Sequence, residues 1–389
     1  MSAFLDDVSL LERLVAFDTT SGRSNIPCAD FIEDYVAAPG VRVERNASPD
    51  GTRVNLVIRA GPPAASERRG LVLSGHMDVV PADAKQWHGD PYTLLRVDDR
   101  LVGRGACDMK GFLALAMNVF RETPADALRH PLVLLFTYDE EVGTVGSRHF
   151  VETFPTPDSL PRAVLIGEPT GLQPLRMHKG HLKLRVTLRG QSAHSGLPHL
   201  GRNAIEPAGP LLNALVELRT AWLQERPPAS EYFPDTPYAA LNVARISGGS
   251  AINVIPHRCT IDLGVRTLPG MDTGAIVEQI RNAAETALGD IPWTLDVLGD
   301  SPPMITREDA ALWRILSEAI PDALSDHGAA FATDGGWLSR LDMTCALWGP
   351  GAMEVAHKPN EYMTTGALDR GRTVLRNIVQ RMCGSEAPA

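Results

Sequence analysis

An apolar run, Leu132–Phe136, ends within a few residues in three consecutive acids, Asp139, Glu140 and Glu141. Carboxylates at the rim of a buried strand are costly unless a cation or a proton neutralises them. The same design recurs along the chain. Val72-Leu73-Ser74-Gly75-His76-Met77-Asp78 is an apolar stretch ending in a histidine and an acid. Gly103-Arg104-Gly105-Ala106-Cys107-Asp108 sets an acid before an apolar helical pattern. Ala163-Val164-Leu165-Ile166-Gly167-Glu168 is again apolar, then acidic. With His357 these strings offer one Asp, two Glu and two His as metal ligands, with acids to spare. Such a set is expected of two-metal hydrolytic chemistry.

Composition narrows the field. A chain of 389 residues predicts two domains, and 44% apolar with 22% charged residues is ordinary for a soluble globular protein. A net charge of −10 argues against nucleic acid as the partner. No apolar run approaches the roughly 20 residues a membrane helix needs. The start of the chain reads as an amphipathic helix rather than a signal peptide, and the expected location is cytoplasmic. Five scattered cysteines without CxxC spacing point to free thiols.

Periodicity predicts strands at 55–60, 70–74, 131–138 and 163–166, and helices at 4–17, 28–37, 109–121 and 145–153: an α/β pattern. In this pattern the candidate ligands fall at strand ends, the edge where open α/β sheets bind. From about His178 the texture changes. Strands at 182–188, 241–246, 259–266 and 293–298 with helices at 204–224 and 273–288 give the order βαββαβ, a ferredoxin-like unit. The reading is a discontinuous catalytic domain, 1–177 and 302–389, with an inserted α+β lid or dimerisation domain, 178–301.

Taken singly the residues admit bland readings. His76 and Asp78, two apart after a strand, could be a ligand with its orienting partner or a locally bonded core histidine. Asp108 alone is a helix N-cap. Glu140 and Glu141, being adjacent, point different ways, so one can ligate while the other faces substrate as a base. His194 and His357 are unremarkable loop histidines. The third glycine of a dinucleotide fingerprint is replaced by Asp108, and G-x-S-x-G, HExxH and Walker strings are missing from the sequence.

Together, the strings Ala16–Ser21, Ser74–Pro81, Gly103–Gly111, Asp139–Gly143, Gly167–Thr170, His178–His181, Gly248–Pro256 and Arg266–Gly270 resemble the M20 metallopeptidase and deacylase family almost end to end. The resemblance implies a dinuclear zinc-peptidase-like α/β domain carrying a ferredoxin-like lid. It implies that Asp108 bridges two divalent metal ions, zinc being expected with cobalt or manganese as alternatives. His76 and Glu168 would complete one site, Glu141 and His357 the other. Glu140 would be the general base, Asp78 the partner of His76, and His194 a donor to the oxyanion. Asn253 and Arg266 would hold substrate. The expected substrate is a small N-acyl amino acid, N2-acetyl-L-ornithine first, with succinyl-diaminopimelate or another N-acetyl amino acid as the alternative. The expected assembly is a homodimer through the lid. Glu168, where an Asp is the alternative, favours the deacylase branch. The string Phe331–Trp337, with Thr333-Asp334-Gly335, is nearer the Ser/Thr-Asp-Gly form of other M20 deacylases.

Overall fold

The computed structural model describes residues 3–65, 68–321 and 325–384. The chain forms two compact units: Met1–Met177, Met304–Asp326 and Thr333–Ala389 make one, and His178–Pro303 with His327–Ala332 the other.

The first unit is built on a six-stranded mixed sheet. Its strands are β1 (Arg42–Ala47), β2 (Val54–Ala60), β3 (Leu71–His76), β6 (Leu132–Thr137), β7 (Ala163–Ile166) and β14 (Thr344–Leu347), in the spatial order β1-β2-β6-β3-β7-β14. β6, β3, β7 and β14 run parallel, and β1 and β2 run antiparallel at one edge. β3 and β6 are buried along their whole length. That explains why they read as unbroken apolar runs rather than alternating ones. Parallel neighbours share one C-terminal edge, so the residues that follow β3, β6 and β7 converge there.

Helices cover this sheet. α3 (Gly111–Glu122) is buried from Gly111 to Phe120, and α1 (Asp7–Val15), α2 (Ile26–Val36) and α9 (Thr365–Cys383) pack around it. The remaining helices of the unit are α4 (Val145–Thr153), α7 (Ala311–Ala319) and α8 (Gly335–Leu338), the first and last packed on each other. α1 starts where expected of a capped helix: the Asp6 carboxylate accepts the Ser9 N–H at 2.7 Å, and Leu10, Leu11, Leu14 and Val15 line its buried face. Short strands β4 (Leu95–Val97), β5 (Arg100–Val102) and β15 (Tyr362–Thr364) form a separate antiparallel sheet. No described helix is long and apolar enough to cross a membrane.

The second unit holds β9 (His181–Arg189), α5 (Ala208–Trp222), β10 (Ala240–Gly248), β11 (Arg258–Arg266), α6 (Thr273–Leu288) and β12 (Trp293–Ser301). Two-residue strands, β8 (Met177–His178) and β13 (Met304–Ile305), lie where the chain enters and leaves it. The antiparallel sheet order β10-β11-β9-β12 with chain order βαββαβ is the ferredoxin-like topology. Leu182, Leu184, Val186 and Leu188 point into its core with Leu211, Leu215, Ile276 and Ile280. The intervening Lys183 and Arg185 lie on the other face, as strand alternation dictates.

One close approach fixes the ligand-bearing edge. Gly167, the residue after β7, lies against the Phe112 ring so tightly that a Cβ there would fall 1.9 Å from a ring carbon. Phe112 is fully buried and has no room to retreat. Gly167→Ala should therefore destabilise the protein by about 1–3 kcal/mol, the cost of overpacking a filled core. A urea titration would read this as a lower midpoint, and an unchanged midpoint would contradict the packing described.

Candidate metal centre

The site begins with His76, the last residue of β3. Its Nδ1 lies 2.9 Å from the main-chain carbonyl of Asp78, so that nitrogen carries the proton and Nε2 keeps its lone pair for a cation. The Asp78 side chain does something else than the sequence implied. Its Oδ1 is 3.6 Å from Nδ1, beyond hydrogen bonding, and the carboxylate accepts the N–H groups of Glu140 at 3.0 Å and Glu141 at 3.3 Å and the Ser21 hydroxyl at 2.7 Å. Asp78 thus orients His76 through its backbone, and its carboxylate holds the turn that presents both glutamates.

Asp108 is not a helix cap. It precedes α3 in a tight turn with extended backbone, and the Asp108–Met109 peptide is cis. One carboxylate oxygen is 3.1 Å from His76 Nε2 and the other 3.1 Å from His357 Nε2. His357 also lies 3.0 Å from Glu141. Two overlapping groups result. Donor atoms of His76, Asp108 and Glu168 all lie within 4.8 Å of one another, and so do those of Asp108, Glu141 and His357. Asp108 belongs to both.

Sequence reasoning missed the residues that hold Asp108. Buried Glu361 accepts the N–H groups of Cys107 at 2.9 Å and Asp108 at 3.0 Å, and it pairs with the guanidinium of Arg104. A signal was present: Glu361 stands four residues after His357, and Arg104 lies within the Gly103–Gly111 string. Asp139 is a turn residue at φ +52°, its carboxylate accepting the Gly22 N–H at 2.7 Å and pairing with Arg53.

The electrostatics are those of crowded acids. Burial, then the charge of Glu168, pushes the Glu140 carboxyl well above its usual range; burial, then Asp108, does the same to Glu168. Burial, then Asp108, raises Glu141 to about 7. Asp108 responds the other way: burial opposes its charge, but hydrogen bonds to His357 and His76 outweigh it and hold the carboxyl below its usual range. His357 is raised to about 10 by its hydrogen bonds to Asp108 and Glu141. Carboxyls forced together out of water are relieved by multivalent cations. Two imidazoles with three carboxylates are also a donor set that zinc, cobalt and manganese accept. The residues fit two divalent ions.

The remaining sequence-predicted residues lie in the second unit. His194 is exposed in the loop after β9. Its Nδ1 accepts the Gly196 N–H at 3.0 Å, which leaves the proton on Nε2. This loop pairs with the one carrying Asn253: His194 forms an antiparallel bridge with Val254, and the Ser195 N–H reaches the Asn253 carbonyl at 3.0 Å. Arg266 ends β11. Burial and the Arg266 charge lower Lys179 to about 8 and His181 to about 4, which marks a positive field at that end of the sheet.

The chain is similar to known proteins along most of its length. The acetylornithine deacetylase of Myxococcus xanthus is 36% identical over 382 residues, covering 96% of this chain and 97% of that protein. That of Klebsiella pneumoniae is 34% identical over 365 residues, covering 93% and 92%. Among solved structures, an M20 family metallo-carboxypeptidase from Sulfolobus solfataricus superposes with a TM-score of 0.78 at 17% identity, over 97% of this chain and 99% of that one. A dinuclear metal binding M20 peptidase from Bacillus subtilis superposes at 0.62 and 14%, over 96% and 97%. At such identities these structures speak to the fold alone. The profile of peptidase family M20/M25/M40 matches residues 72–381, so the chain belongs to that family and is a metal-dependent amide hydrolase.

Proposed function

We propose that the protein removes the acetyl group from N2-acetyl-L-ornithine, giving L-ornithine and acetate. The observation that carries this reading is the near full-length similarity to acetylornithine deacetylases, combined with a complete set of candidate ligands and one additional buried-edge carboxylate, Glu140. A small N-acyl amino acid is then the substrate, and arginine biosynthesis in the cytoplasm the setting.

His76, Asp108 and Glu168 would hold one divalent ion and Asp108, Glu141 and His357 the other, zinc being the best match to the donor set. Such ions supply Lewis acidity, polarising an amide carbonyl and acidifying water. The chain's own residues do the rest. Glu140 takes a proton from the attacking water as its oxygen adds to the acetyl carbon. It then gives that proton to the amide nitrogen as the C–N bond breaks, because an amine leaves readily only when protonated. Its raised proton affinity, set by burial and by neighbouring Glu168, suits a group that must first accept and then donate. Asp78 fixes the Glu140 main chain by its 3.0 Å hydrogen bond, which limits how far the carboxyl can swing.

In this reading the second unit is a lid and dimerisation domain. His194 stabilises the developing oxyanion; its Nδ1 is already occupied as an acceptor, so Nε2–H is the free donor that role needs. Arg266, in the positive field it shares with Lys179 and His181, receives the substrate carboxylate, and Asn253 lies on the loop paired with His194.

A second reading is favoured by the Thr333-Asp334-Gly335 string, the form met in other M20 deacylases. There the substrate is a different N-acyl amino acid, such as succinyl-diaminopimelate. A panel of N-acyl amino acids assayed for released amine separates the two. N2-acetyl-L-ornithine should show the highest kcat/KM, by roughly tenfold or more; a succinyl substrate in first place would overturn the acetylornithine assignment.

Glu140→Gln should lower kcat by about 10²–10⁴-fold while the protein still takes up about two equivalents of metal. Near-normal turnover in that variant would remove Glu140 from the mechanism. His194→Ala should cost on the order of 10²–10³ in kcat, with metal content and melting temperature unchanged. An unaltered rate would make His194 an ordinary loop residue.

A further inference from the structure

Asp334 is a buried carboxylate of the first unit that the mechanism does not use. It is 2% exposed and starts α8, its carbonyl accepting the N–H groups of Trp337 at 3.1 Å and Leu338 at 3.0 Å. Its main chain is held further by Thr333, whose hydroxyl accepts the Gly335 N–H at 3.1 Å. The side chain reaches away from α8. Oδ2 accepts the Thr137 hydroxyl at 2.6 Å. Oδ1 is buried with no partner. A half-paired buried carboxylate costs more than an amide or an apolar residue of similar size, so stability alone does not account for an acid here.

That partner gives the site its meaning. Thr137 is the last residue of β6, and Ser147 lies in the first turn of α4. Between them runs the loop of residues 138–146, which carries Glu140 and Glu141. Main-chain hydrogen bonds draw its neck together, from Gly146 N to the Tyr138 carbonyl at 3.0 Å and from Val145 N to the Asp139 carbonyl at 3.1 Å. Asp334 holds the β6 side of that neck from a third element. Asp78 holds the loop's other end through the Glu140 and Glu141 N–H groups. The Asp334 charge is felt at Glu140 and at Glu168.

We propose that Asp334 is a positioning residue: by holding Thr137 it fixes the start of the loop that aims Glu140 at the His76–Asp108–Glu168 group. This rests on the reading of Glu140 as the proton carrier. A displacement of the order of 1 Å at a reacting group costs about 10²-fold in rate, and that sets the expected effect.

The test is a double-mutant cycle measured with the best substrate of the panel on the metal-loaded, full-length protein. Asp334→Ala should lower kcat on the order of 10²-fold, with KM changed by less than about threefold and metal content unchanged. Asp334→Asn, whose amide oxygen still accepts from Thr137, should recover most of that loss. Thr137→Val should reproduce the defect, and the double variant should be no worse than either single one, because both remove the same contact. Asp334→Ala with kcat within about twofold of the parent would overturn the inference, as would losses that multiply in the double variant. Should Asp334→Ala fail to fold, Thr137→Val decides: an undiminished kcat there sinks the clamp. An inactive Glu140→Gln beside a fully active Asp334→Ala would remove the clamp and leave the reading of Glu140 standing. An active Glu140→Gln would remove that reading itself.

Discussion

The arrangement depends on the Asp108 carboxylate, whose two oxygens each meet a different imidazole at 3.1 Å. A buried anion shared between two sites must be held rigidly, or neither site keeps its geometry. The chain does this through the backbone. Glu361 accepts the N–H groups of Cys107 and Asp108, and Arg104 neutralises Glu361, so a buried ion pair braces the turn rather than the side chain itself. Breaking such a pair from one side strands a charge and costs several kcal/mol. Asp78 plays a matching part on the opposite side, where its carboxylate holds two consecutive peptide N–H groups. The candidate ligands thus stand on a frame of acids that ligate nothing.

Much of this was legible in the sequence. The buried runs Leu132–Phe136 and Ala163–Ile166 could only be central strands, and an acid after each put the site at their shared edge. The ferredoxin-like unit was legible because Leu182–Leu188 alternates so cleanly. What escaped has physical reasons. β1 is a half-exposed edge strand of mostly polar residues, Arg42–Ala47, with too weak a pattern to be read. β14, α7, α8 and α9 fall in a segment whose texture was recognised as α/β without its elements. Asp108 looked like an N-cap because sequence order cannot reveal that α3 begins three residues later, at Gly111. The supports Glu361 and Asp334 were invisible for another reason: their partners, Cys107 and Thr137, are about 250 and 200 residues away.

Asp78 marks the boundary between what pattern and geometry can each say. A His-x-Asp string suggests a carboxylate behind the imidazole, and the two residues are indeed coupled. The coupling runs through a carbonyl at 2.9 Å, while the side chain turns to the neighbouring loop. Residue type told which groups meet; only coordinates told which atom of the residue does so.

His357 lies 216 residues from Glu141 along the chain, and the whole second unit is threaded between them. A bound ion held by both would therefore act as a cross-link, closing a loop that contains the whole second unit. It would also set an order of events. His76, Asp108, Glu141 and Glu168 all precede the second unit along the chain, so Asp108, Glu141 and His357 cannot meet until the segment carrying His357 has been added.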